Sequence, residues 1–403
     1  MPTTPAPHHP GAMTRRERVR FQLAAVLLVL LAVAVLLALA LAYFMRPVIL
    51  PINGRATLGP PVCGGWQVST GPRGLFGPPE DHISGVAVAA ADDAWAVGHS
   101  GLRRGTYRTL IRHWDGTAWT DSPHPADRSG DDVLSAVSAR APDDVYAVGG
   151  SRQGPLVLHW DGAGWTHIPP ITAIPADGAL YAVAAHAAGK VWAAGGVPAG
   201  GGVRTLLVHG TGTTWQAVPS PDAGAIRGLA VAGPDDVWAA GNGLLHWDGR
   251  AWQAGPDLTP LLGTGALAGV AATGPDDVWV AGAERAPGPP LAHWNGREWR
   301  RVPVPPGAAA AVYLSSIAAV APNDVWVAGA QEDESGTGRL LLLHWDGAGW
   351  QSVPVPGPLA DNRFLDVAAA PGGVWTAGIA GQHEDGPYYA LLGHLTRRPC
   401  PAP

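Results

Sequence analysis

Between residues 83 and 394 short apolar stretches alternate with acidic or glycine-rich turns, and one order of stretches recurs seven times. Each copy runs apolar stretch, acidic turn, aromatic-Ala/Val-Gly, variable loop, apolar-His-Trp, Asp-Gly turn, then Trp. The second copy spans Leu134 to Gly149 and then Leu156 to Trp165. A period of roughly 40–50 residues indicates a solenoid, propeller or array. Four β-forming stretches per copy, in copy one Ile83–Ala89, Ala94–Gly98, Leu110–Trp114 and Ala118–Asp121, predict four-stranded propeller blades. First strands rich in Ala, Gly, Ser and Val suit the crowded strand nearest the axis. Pro-Asp-Asp predicts a tight turn between first and second strands, as at Pro142–Asp144, Pro234–Asp236 and Pro275–Asp277. Asp-Gly or Asn-Gly predicts a two-residue hairpin between third and fourth strands, as at Asp115, Asp248, Asn295 and Asp346, because these residues tolerate positive φ.

The second-strand aromatic counts seven units: Trp95, Tyr146, Trp192, Trp238, Trp279, Trp326 and Trp375. The Trp after the Asp-Gly turn counts only six in the same region: Trp119, Trp165, Trp215, Trp252, Trp299 and Trp350. The last copy stops at His394-Leu-Thr-Arg-Arg-Pro-Cys400, and the missing piece precedes the first copy as Cys63-Gly-Gly-Trp66. A unit shared between the two ends predicts a closed ring; an open solenoid has no reason to split one and needs capping repeats. The expected fold is therefore all-β, a seven-bladed β-propeller whose last blade is closed by an N-terminal strand. All 18 Trp fall at three repeat positions, which marks them as inter-blade packing rather than a sugar platform. His113, His159, His209, His246, His293, His344 and His394 occupy one register, seven of the 15 histidines. Such regularity points to structural bonds, across to the next blade or to the Pro-Asp-Asp turn, rather than to catalysis. The Asp pairs read as turn formers.

The order Val145-Tyr-Ala-Val-Gly-Gly150 followed by His159-Trp-Asp-Gly-Ala-Gly-Trp165 resembles kelch repeats. It is also similar to the Asp-box (BNR-like) repeats of photosystem II assembly-factor-type propellers. The resemblance covers about residues 63–400. Asp115 and Trp119 stand one residue closer than in the usual Asp-box, and the kelch Arg at the start of the first strand is missing. The resemblance implies the fold and carries over no function.

Charge and hydropathy add a location. Residues 23–44 are uncharged and almost wholly apolar, long enough for a bilayer core of ~30 Å. Arg15, Arg16, Arg18 and Arg20 precede them, so the positive-inside rule predicts a cytoplasmic N-terminus. The expected organisation is a disordered cytoplasmic tail over 1–20, a membrane-spanning signal anchor over 21–44, a Pro-rich tether over 45–62 and an extracytoplasmic propeller over 63–403. A cleaved signal peptide is the alternative. The net charge of −6 argues against a nucleic-acid partner. Scarce lysine with heavy Ala, Gly and Pro suggests a GC-rich bacterial source. Cys63 and Cys400 are the only cysteines and flank the seam of blade 7, where a disulfide would close the hairpin that every other blade closes covalently.

No catalytic set, cofactor motif or metal-ligand spacing emerges, so a non-enzymatic role is expected. The irregular residues lie in long loops of one face, 99–108, 329–338 and 379–388 among them. Arg103, Arg104 and Arg108 belong to blade 1; Glu332, Asp333 and Glu334 to blade 6; His383, Glu384 and Asp385 to blade 7. These are the candidate ligand-face residues, with solvated loop charge as the bland alternative. The leading reading is a membrane-anchored binding or scaffold module for a protein, peptide or glycan. The runner-up is an extracytoplasmic hydrolase or lyase working at the channel mouth.

Overall fold

The computed structural model describes residues 65–69, 81–102, 106–125, 131–169, 171, 174–186, 190–283, 289–304, 311–332, 337–381 and 388–396. The anticipated tail, anchor and tether, and both cysteines, lie outside the described residues. Among the described residues no helix is long and apolar enough to cross a membrane.

Among the described residues twenty-eight strands form seven four-stranded antiparallel sheets, the blades of a seven-bladed β-propeller. Blade 1 consists of Asp81–Ala90, Asp93–Leu102, Thr106–Trp114 and Trp119–Asp121. Blades 2 to 6 repeat it over 133–167, 179–217, 228–254, 267–301 and 311–352. Blade 7 takes three strands from the C-terminal end, Asp361–Ala370, Gly373–Gly381 and Tyr388–Thr396. Its fourth is Trp66–Ser69. The pairing Trp66↔Leu395 repeats Trp119↔Trp114 of blade 1, so the seam keeps the register of a continuous blade.

The Gly of each aromatic-Ala-Val-Gly motif has a steric origin. In most blades the first strand carries a bulge, for instance between Leu134 and Ala136. The bulge presses a carbonyl onto the facing Gly. A Cβ on Gly149 would lie 1.9 Å from the Val133 carbonyl oxygen, and one on Gly98 equally close to that of His82. Only hydrogen fits there.

The tight-turn face is cross-braced. Asp93, Asp144, Asp236, Asp277 and Asp324 accept from Nε2 of His113, His159, His246, His293 and His344 at 2.6–3.2 Å. Of the two bonding options open to the repeated histidines, these five realise the one to the turn of their own blade. Trp160, Trp294 and Trp345 donate from Nε1 to the carbonyls of Pro142, Pro275 and Pro322 at 3.1–3.2 Å. The Pro-Asp-Asp turns are tight, as the pairing Ala141↔Asp144 requires.

The Asp-Gly connections depart from expectation. They are four-residue turns, such as 115–118, not two-residue hairpins. The Asp side chain explains this: Asp115 Oδ1 accepts both Thr117 N–H and Ala118 N–H at 2.9 Å, holding a longer loop. Gly116 still adopts φ +89°. The long loops are also shorter than expected, because the second and third strands continue pairing beyond the blade. In blade 1 they pair as far as Leu102↔Thr106, which satisfies backbone groups that an open loop would leave to water. One helical turn, Thr259–Leu262, lies in the connection after blade 4 and was not expected.

The core lies between blades. Each second-strand aromatic covers the His of its own third strand, centroids 3.6–4.6 Å apart. In most blades its other side receives one or two Trp of the next blade. Trp95 meets Trp160 and Trp165 at 5.0 and 5.2 Å. Trp375 of blade 7 meets Trp114 and Trp119 of blade 1 at 5.2 and 5.5 Å, closing the ring. The expectation that the Trp series packs between blades holds.

Candidate functional site

Strands alternate direction, so the second-to-third-strand hairpins and the inter-blade connections share the face opposite the tight turns. Several charged departures from sevenfold repetition lie in blades 6, 7 and 1, which are consecutive in the closed ring.

In blade 1, Arg112 stands where other third strands carry Leu158, Val208, Leu245, Ala292, Leu343 and Gly393. It is 1% exposed. Its Nη2 donates to Asp81 Oδ2 at 2.9 Å and its Nε to Asp121 Oδ1 at 3.2 Å, tying the start of the first strand to the end of the fourth. A charge this deep needs both acids to offset its lost hydration.

Beside this pair the His99 imidazole stacks on His82, centroids 5.0 Å and planes 4° apart, and meets Tyr107 edge-on at 5.1 Å. Burial, then the neighbouring His82, push His99 down to about 4, against a smaller upward pull from Asp81. It is neutral at pH 7, and its Nδ1 is buried with no hydrogen-bond partner. Tyr107 is 45% exposed. Its N–H donates to Asp131 Oδ1 at 3.2 Å, and Arg152 of blade 2 donates to Oδ2 of the same acid at 2.7 Å. The aromatic patch therefore stands on a braced hairpin.

In blade 7, Arg363 lies 3.9 Å from Glu332 and 3.6 Å from Asp361. Asp361 also accepts Gly338 N–H at 3.0 Å, linking blade 7 to the blade 6 hairpin. Nearby, Asp366 follows the first-strand bulge, where the other blades carry Gly85, Ala136, Ala182, Gly228, Gly269 and Ser316. Its Oδ2 accepts Val86 N–H of blade 1 at 2.9 Å and its Oδ1 accepts Ser316 Oγ–H of blade 6 at 2.6 Å. Burial raises its carboxyl to about 6, against the Ser316, Val86 and Val367 hydrogen bonds. One carboxyl joins three blades.

Of the residues nominated from sequence, Arg108 and Glu332 are described. Arg108 is exposed and pairs with Ser100 in the blade 1 hairpin ladder. Glu332 is buried opposite Arg363 rather than projecting as loop charge. Arg103, Arg104, Asp333, Glu334, His383, Glu384 and Asp385 lie outside the described residues. Arg112, His99, Arg363 and Asp366 were missed. The signal for two of them was present: Arg112 and Asp366 each break a column of small or apolar residues across the repeats. Among the described residues no group of three His, Cys, Asp or Glu is placed to hold a metal ion.

These features define a closed seven-bladed propeller with one polar, asymmetric sector on its hairpin face. No protein-family model matches the chain, and no curated protein sequence matches it. Solved structures do. A structure described as YCF48 bound to D1 peptide superposes with a TM-score of 0.56 at 20% identity, covering 84% of this chain and 97% of that one. The WD40 β-propeller domain of Doa1 gives 0.54 at 12% identity, covering 83% and 98%. At these identities the likeness establishes the fold alone.

Proposed function

We propose that the chain is a membrane-anchored binding module that takes a protein or peptide segment on its hairpin face, at blades 6, 7 and 1. The observation that carries this reading is the gathering of non-repeating groups in that sector: Arg363 between two acids, the Arg112 ion pair, and the His82–His99–Tyr107 stack. Ion pairs fixed by buried partners lose little freedom when a ligand binds, and an exposed tyrosine over stacked imidazoles gives an amphipathic contact. A similar fold bound to a peptide agrees with this use of the propeller. Residues 21–44 serve as the anchor, residues 63–403 stand outside the cytoplasm, and Cys63 and Cys400 are joined across the blade 7 seam.

The test is co-purification of the full chain from its native membrane, with Tyr107→Ala and Arg363→Ala set against Arg250→Ala on the tight-turn face. A partner retained by Arg250→Ala and lost from both hairpin-face variants supports the reading. Equal retention by all three overturns it.

A further inference from the structure

Five blades pair the third-strand His with an Asp on the tight-turn face; blades 3 and 7 do not, and they differ in how. In blade 7 the aspartate position is Gly373, where a Cβ would lie 2.9 Å from His394 Nε2. His394 lies flat on Trp375 at 3.6 Å, so this site is closed by contact. In blade 3 the same position is Lys190, the only lysine of the chain.

The ladder sets Lys190 opposite both His186 and Thr211, and Trp192 opposite His209. Residues two apart share a face of a strand, so Lys190, His186, His209 and Trp192 stand on one face of the sheet. Cross-strand neighbours hold their Cβ atoms about 5 Å apart and diagonal ones about 7–8 Å, so the three basic groups share one corner. That face turns toward blade 4, since Trp192 packs on Trp247 and Trp252 at 5.1 and 5.2 Å. Lys190 is exposed. The Nε2 of His186 is buried with no hydrogen-bond partner.

Among the described residues no carboxylate acts on either imidazole. Burial, then Lys190, then His186 hold His209 below the usual histidine range. Burial, then Lys190, do the same to His186. The aspartates that take the Lys190 position in the flanking blades are engaged elsewhere. Asp236 of blade 4 accepts from His246 at 2.9 Å, and Asp144 of blade 2 from His159 at 2.8 Å and from Arg140. Asp235 and Asp143 are exposed turn residues whose Cβ atoms lie beside Gly249 and Gly162. Blade 3 thus places three basic groups where its sister blades place a base and an acid.

We propose that this corner binds a carboxylate supplied from outside the chain, seated between Lys190 and His209 where the aspartate sits in the other five blades. The carboxylate adds a negative neighbour to both imidazoles and offsets the Lys190 charge that lowers them. Binding therefore takes up protons and tightens as pH falls.

Because Lys190 is the sole lysine, reductive methylation with labelled formaldehyde marks one side chain of the full chain besides the N-terminus, and keeps its charge. The probe is acetate, with chloride at equal ionic strength as the control. The expected result is a saturable shift of the Lys190 methyl signal and of the His186 and His209 ring signals, with about tenfold tighter binding at mildly acidic than at neutral pH. Lys190→Asp, read on the ring signals, supplies the carboxylate within the chain; it should raise the His209 pKa and abolish the acetate response. Lys190→Ala should abolish the response and raise that pKa less than Lys190→Asp does, since it removes the positive neighbour without supplying a negative one. Shifts that do not saturate, or that persist unchanged in Lys190→Asp, overturn the proposal. Two peptides separate the sources: one with aspartate side chains and an amidated end, one with neutral side chains and a free C-terminal carboxylate. The one that competes with acetate names the source, and competition by neither assigns the corner to a small free carboxylate.

Discussion

At the residue scale, three half-buried titrating groups make stability depend on pH in two opposed ways. Burial holds Asp366 at about 6, above the roughly 3.9 of an unfolded aspartate. Between those values the native chain keeps a proton that the unfolded chain has lost. The Asp366 contribution is therefore fully present below about pH 4 and is lost as pH rises through about 6. His394 and His99 behave in the reverse sense. Burial lowers both to about 4, so their contribution is present above the unfolded value and is lost as pH falls from about 6.5 toward 4. Asp366→Asn removes only the first term. Its urea midpoint should improve relative to the parent as pH rises from about 4 to 6 and stay at a constant offset above that. An offset constant over the whole range would show that Asp366 is already ionised at pH 4.

At the element scale, the strand motif makes a sharp prediction about two glycines of blade 2. Gly149 faces the bulge carbonyl of Val133, with no room for a methyl group. Gly149→Ala should destabilise by about 1–3 kcal/mol, because the strand pair must separate. At Gly164 a Cβ would meet nothing within 4 Å, so this position should accept Ala with little change. Equal midpoints for the two variants in chemical denaturation would refute the steric reading.

Much of this scale was legible in the sequence. Aromatic spacing located every second strand, and the order of the last copy against Trp66 located the seam. Element ends were less legible. The hairpin ladders continue to Leu102 and Thr106 because backbone pairing needs no apolar alternation, which is what the eye follows in sequence. Arg112 and Asp366 escaped notice for a different reason. A charge in an apolar column reads as noise until its partners, Asp81 and Asp121 or Val86 and Ser316, are seen in space. Lys190 stands apart in the same way: its meaning depends on the five aspartates that share its place in other blades.

At the scale of the whole molecule, the ring is closed by one short strand that comes from the far end of the chain. Trp66, 9% exposed, joins the cluster of Trp326, Phe364 and Leu395, and its ring meets Phe364 at 5.8 Å. It does for blades 6 and 7 what Trp350 does for blades 5 and 6. Trp66→Ala should therefore cost about 3–5 kcal/mol, as a buried Trp in any blade would. Closure also decides the shape of the transition. In an open array each unit answers only to its neighbours, and blades 2 to 5 would unfold at their own midpoint whatever happened at the seam. In a ring every blade has two partners, so Trp66→Ala should move one sigmoidal curve as a whole, followed by tryptophan fluorescence and by far-ultraviolet circular dichroism. The proposed Cys63–Cys400 link acts on the same seam. Reduction should lower the parent midpoint, and its effect should not add simply to that of Trp66→Ala, since both changes release the same strand. A biphasic curve whose later phase stays at the parent midpoint would mean that the blades fold as an array and that the seam strand is an accessory.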